Sequence, residues 1–115
     1  EGPQRLSRTS NVPFEAGMII SNEPGFYKEG HFGIRIENLL TVSKAPKLEH
    51  SVVAEMFIFE TLNFVPIDKN LIEKDLMSTD EIVWLNEYHS QCREKIRTHL
   101  DKNERIWLDH ATNKL

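Results

Sequence analysis

The sequence predicts an α+β chain, with antiparallel strands through residue 67 and helices from Ser78 onward. Two observations carry this. Short runs rich in Val, Ile, Phe and Thr fall at Gly17–Asn22, Gly33–Val42 and Val52–Val65, the composition of strands. From Ser78 the period changes, and apolar residues recur at intervals of three and four, as on an amphipathic helix. The chain accordingly divides into residues 1–67 and 68–115.

The elements follow in order. Gly17–Asn22 reads as a strand, and the turn signals Pro24-Gly25 and Lys28-Glu29-Gly30 suit a hairpin that returns the next strand beside it. In that strand Ile34-Arg35-Ile36-Glu37 alternates with period two, so Arg35 and Glu37 share one face while Ile34 and Ile36 share the other. Residues Lys44 to Ser51 show no period and form a polar connection, with His50 expected to face solvent. Val52–Val65 supplies the next strand.

Ser78-Thr79-Asp80-Glu81 has the spacing of a capping box, and Ile82, Leu85, Tyr88 or His89, Cys92, Ile96 and Leu100 then mark one helix face. A second start has Asp101 as N-cap and Glu104 three residues later, followed by Ile106, Trp107, Ala111 and Leu115. The expected tail is a helical pair.

Glu23 and Glu37 each close an apolar stretch, residues 17–27 and 32–38. Acids are depleted in strands and costly to bury without a partner, so this placement suggests a paired or metal-binding use. Adjacent strands lie about 4.8 Å apart, close enough for two carboxylates to share one cation. Like charges at that distance need a shared proton, a cationic neighbour such as Arg35, or a divalent metal. The alternative is structural: a Glu before Pro-Gly is often a solvated turn residue, and Arg-x-Glu on a strand is often a surface cross-strand pair.

Composition is that of an ordinary globular chain, 115 residues with 39% apolar and 28% charged. Net charge is -4 and the Lys and Arg residues are scattered, so nucleic-acid binding is not supported. One cysteine, Cys92, excludes an intrachain disulfide, fits a reducing compartment and is expected to be a buried structural thiol. No apolar run approaches the ~20 residues of a membrane-spanning helix, and no signal-like segment opens the chain. His89, His99 and His110 make no i, i+4 ligand pair and read as packed or surface residues. His31 could border a pocket beside Gly33-Ile34-Arg35, but it is left out of the site.

Glu1-Gly2-Pro3, Glu15-Ala16-Gly17-Met18, Glu23-Pro24-Gly25-Phe26-Tyr27 and Gly33-Ile34-Arg35-Ile36-Glu37-Asn38 resemble the last catalytic segments of aminopeptidase P, the Xaa-Pro aminopeptidase, in order and spacing. Residues 59–68 and Trp84-Leu85-Asn86-Glu87-Tyr88-His89 resemble the carboxy-terminal extension of that family's longer members. The paired Glu-Pro-Gly and Gly-Ile-Arg-Ile-Glu strings point to the pita-bread metallopeptidase superfamily as a whole; the tail strings favour aminopeptidase P within it. Asn22 and Lys28 depart from some relatives, at positions that are not ligands.

The resemblance implies the carboxy-terminal part of a pita-bread catalytic domain followed by a helical extension. It implies two divalent metal ions, usually manganese, with Glu37 bridging them and Glu23 binding one while taking the proton from the attacking water. Arg35 would orient or neutralise the cluster, and Tyr27 would support it from behind. Implied partners are peptides with proline second and a second copy of the chain, in the cytoplasm, with no nucleic acid or membrane. In the family two Asp and one His ligand come from upstream segments, and none of those segments is in this sequence. A fragment is therefore expected, opening next to where one substrate-contacting histidine would stand. The competing reading is a non-catalytic interaction or dimerisation module.

Overall fold

The computed structural model describes residues 2–7, 9–47, 49 and 55–115. These form two compact units, Glu1–Asn63 and Phe64–Leu115. In the first, the strands are β1 (Ile19–Asn22), β2 (Gly25–Lys28), β3 (Phe32–Arg35), β4 (Asn38–Lys44) and β5 (Phe57–Thr61). The second holds helices α1 (Thr79–Ile96) and α2 (Lys102–Ala111) with three short 3-10 turns.

All strand pairs are antiparallel: β1-β4-β5 make one sheet and β2-β3 a hairpin. The hairpin and the β1-β4 ladder are two parts of one long ribbon. Ile19 pairs with Thr41 and Asn22 with Asn38; further along, Gly25 pairs with Arg35 and Lys28 with Phe32. The register is the same in both ladders, so Glu23 falls opposite Glu37 and Pro24 opposite Ile36. Pro24 lacks an N–H, which interrupts the ladder, while its carbonyl still accepts from the Ile36 N–H at 3.1 Å. Pro24-Gly25 is therefore extended chain and not part of the turn expected there. The reversal is made by Glu29-Gly30-His31 alone, with Gly30 at φ 70° and the His31 N–H donating to the Lys28 carbonyl at 3.0 Å.

Side chains alternate across this ribbon. Ile20, Asn38 and Val42 are buried on one face, where Phe14 packs edge-on against Phe59, which stands opposite Val42. Ser21, Glu23, Arg35 and Glu37 belong to the other face. Asn63 fixes the far end of β4 by accepting from the Leu39 N–H at 2.8 Å and from the Asn38 amide at 3.5 Å. Of the strand expected over Val52–Val65, Phe57–Thr61 is observed; residues 52–54, like His50, lie outside the described residues.

In the second unit both predicted caps form. Ser78 accepts from the Glu81 N–H while Glu81 accepts from the Ser78 N–H, and Asp101 and Glu104 repeat the arrangement. Leu85, Tyr88 and Cys92 make the core with Phe64, Ile67, Ile72, Met77 and Leu115. Tyr88 donates its hydroxyl to the Val65 carbonyl at 2.8 Å. His89 is fully buried, and its Nε2 accepts from the Ile67 N–H at 3.1 Å. The first helix ends at Ile96, a turn before Leu100, and a 3-10 turn at Arg97–His99 leads to the second cap.

The apolar face of α2 differs from the expected one. Leu108 is 1% exposed, whereas Ile106 and Trp107 are each 61% exposed. The buried line runs through Leu108 and Thr112 to Leu115, which the i, i+4, i+7 spacing permits equally well. A bidentate Arg97–Asp109 pair at 3.1 and 3.2 Å ties the end of α1 to α2.

Candidate functional site

The register shared on both sides of Pro24 sets two carboxylates and a guanidinium on one face of the ribbon. Glu23 and Glu37 stand at opposed register positions, and Arg35 follows two residues before Glu37 on the same face. Arg35 Nη1 lies 2.9 Å from Glu23 Oε2 and 4.0 Å from Glu37 Oε2. All three side chains are about half exposed. The bland reading of a surface pair thus fits the 2.9 Å contact, but it does not explain a second carboxylate placed beside the first.

A residue missed from the sequence completes the Glu23 environment. The Ser21 hydroxyl donates to Glu23 Oε1 at 2.6 Å, while Arg35 donates to Oε2. The Ser21 hydrogen bond and then the Arg35 guanidinium hold the Glu23 carboxyl below the usual carboxylate range. Glu23 in turn pushes the Arg35 guanidinium upward. Ser21 was open to detection, because it sits two residues before Glu23 and period-two alternation puts both on one face. Asn63, which pins β4 from 24 residues away, carries no such signal.

Tyr27 lies flat over two glycines of this face. A Cβ on Gly25 would meet its hydroxyl at 2.6 Å, and one on Gly33 would meet its ring at 2.7 Å. The two glycines thus make room for the ring, which runs toward the register position of Arg35. His31 sits in the hairpin turn, four residues along the strand from Arg35, or about 13 Å away at a strand's rise. It does not join the carboxylates.

As a cation site the face is apt in chemistry and short in number. Two opposed carboxylates are hard oxygen donors of the kind that divalent ions take. Among the described residues, however, no group of three or more His, Cys, Asp and Glu side chains comes together around one point. Glu23 and Glu37 would fill only two places of a divalent shell, which takes more.

Residues 1–44 match the family described as metallopeptidase family M24, and residues 55–115 match the C-terminal region of peptidase_M24. The chain is 40% identical over 114 residues to aminopeptidase P1 of Lotus japonicus, covering 97% of this chain and 17% of that protein. It is 42% identical over 118 residues to aminopeptidase P2 of Arabidopsis thaliana, covering 100% of this chain and 17% of that one. In structure it resembles the X-prolyl aminopeptidase of Caenorhabditis elegans, described as a cytosolic enzyme with a di-nuclear active site. The TM-score is 0.80 at 31% identity, over 95% of this chain and 18% of the other. The chain thus spans less than a fifth of the length of the relatives it matches. Its strands and helices correspond to the carboxy-terminal part of a pita-bread catalytic domain and the extension after it. Because the C-terminal match alone takes in more than half of the sequence, this chain belongs to metallopeptidase family M24.

Proposed function

We propose that this chain works as part of a metal-dependent Xaa-Pro aminopeptidase, which releases the first residue from peptides with proline second. The observation that carries the reading is the placement of Glu23 opposite Glu37 in an unbroken register, with Arg35 between them in charge. The similarity to aminopeptidases P and to a di-nuclear X-prolyl aminopeptidase supports it.

In this reading Glu37 and Glu23 would be among the residues that hold two divalent cations, manganese in our proposal, and bound there the ions would supply charge to activate water and polarise the scissile carbonyl. Glu23 would take the proton of the attacking water; Ser21 and Arg35 keep its carboxyl ionised and so able to accept, while also making it a weaker base than a free carboxylate. Arg35 offsets the repulsion between the carboxylates, and Tyr27 packs beside it over Gly25 and Gly33. The remaining ligands come from parts of the protein outside these 115 residues. Residues 1–67 belong to the catalytic domain and 68–115 to the extension, whose half-exposed Trp84 and Trp107 suit contact with a second copy in a homodimer. The description of the nematode enzyme supports a cytosolic setting, and no helix among the described residues is long and apolar enough to cross a membrane.

The test is release of the first residue from a short Xaa-Pro peptide with added manganese. The full-length protein should cleave it, and the 115-residue chain alone should not, because two carboxylates leave most of a two-metal shell unfilled. An inactive full-length protein that nevertheless binds two ions would overturn the substrate assignment. Turnover by the isolated chain would overturn the division of ligands.

A further inference from the structure

We propose that Ser21 is a positioning residue for the Glu23 carboxylate, holding it in the orientation in which it takes a divalent cation; this rests on the metal-dependent reading above. Ser21 and Glu23 are two apart on the long strand that β1 and β2 share, and so stand on one face. The hydroxyl donates to Oε1 at 2.6 Å from the same strand, while Arg35 donates to Oε2 at 2.9 Å from the strand opposite. Two donors on different oxygens fix the carboxylate plane as well as its position. Glu37 has only the 4.0 Å contact with Arg35 and no comparably close donor among the described residues.

The two donors on Glu23 are not equivalent toward a cation. A guanidinium carries the same sign of charge, so a metal ion arriving at Oε2 must compete with Arg35 for it. A hydroxyl is neutral and uses one lone pair of Oε1, leaving the rest of the carboxylate's acceptor capacity for coordination. Ser21 is therefore the contact that can persist when the carboxylate becomes a ligand. A threonine could make the same bond; an alanine could not.

The experiment measures manganese binding to the full-length protein by calorimetry, for wild type, Ser21→Ala and Ser21→Thr, beside the melting temperatures of the metal-free proteins. Groups that orient a ligand from behind typically change metal affinity by about 10–100-fold. We expect Ser21→Ala to weaken binding by that factor with metal-free melting unchanged, and Ser21→Thr to bind within a few-fold of wild type. Wild-type affinity in Ser21→Ala overturns the proposal, and so does a Ser21→Thr protein as weak as Ser21→Ala, since the hydroxyl then is not what matters. If wild type itself binds no manganese, the metal reading fails before Ser21 is reached, and the two failures are distinguishable.

Discussion

Glu23 and Glu37 owe their opposition to one register shared by two ladders, with a proline between them. Pro24 withholds one ladder hydrogen bond, yet its fixed φ is compatible with extended chain, so the register runs through the break unchanged. The pair is too exposed to be explained by folding stability, because half-exposed ion pairs contribute little to it. In the proposed reading its use lies in binding metal. In the full-length protein, Glu37→Gln should lower activity by orders of magnitude together with metal content, since it removes a charged ligand. Glu23→Gln should lower turnover even where metal is retained, because Gln cannot accept the proton from the attacking water. Measuring bound manganese and kcat on the same preparations separates the two roles, and full activity with full metal in Glu37→Gln would sink the assignment. What the sequence made legible here was the residue set: Glu23, Glu37 and Arg35 do meet. The turn was misplaced, because Pro-Gly is a turn signal only when the chain reverses, and the decision to reverse is made by Gly30 at φ 70°.

At the scale of the helices, local chemistry was readable and phase was not. Ser78 with Glu81 and Asp101 with Glu104 cap as their spacing predicts, because each bond is made within four residues. The buried face of α2 depends on partners distant in sequence: the stripe read through Ile106 and Trp107 is exposed, and the one through Leu108, which was not read, is buried. Leu108→Ala should therefore cost about 2–5 kcal/mol as a buried large-to-small change, while Trp107→Ala should stay within about 0.5 kcal/mol in urea unfolding of the chain. Equal costs would mean that the buried stripe is misassigned. His89 gives α1 a pH dependence. Burial, and then the charges of Lys69 and Arg93, push its pKa below the ordinary value, whereas its bond from the Ile67 N–H requires an unprotonated Nε2. The unfolded chain therefore takes up the proton first as pH falls. Stability from this group is complete above about pH 6.5 and declines below it, by at most about 1.4 kcal/mol per pH unit. Urea midpoints followed by helix circular dichroism between pH 7 and 5.5 should fall for wild type and fall less for His89→Gln; a flat wild-type profile would remove His89 from the account.

For the whole molecule, the question is what the exposed aromatic surface of the extension is for. Tyr88 is buried with Phe64 and stacks on Trp84 at 5.6 Å, yet Trp84 remains 54% exposed and Trp107 61%. Single exposed apolar residues are ordinary, but tryptophan is among the residues enriched where proteins meet. Neither side chain is among those packed into the core around Leu85, Tyr88 and Cys92, although Trp84 stacks on Tyr88 at its edge, so circular dichroism of each variant accompanies the mass measurement. This makes a clean test of the proposed homodimer. Light scattering on the full-length protein should give twice the chain mass, and Trp84→Ala with Trp107→Ala should shift it toward the monomer at micromolar concentration, since truncating an interface anchor commonly costs 2 kcal/mol or more. An unchanged mass in the double variant, or a monomeric wild type, would mean that these tryptophans do not serve association between copies of this chain.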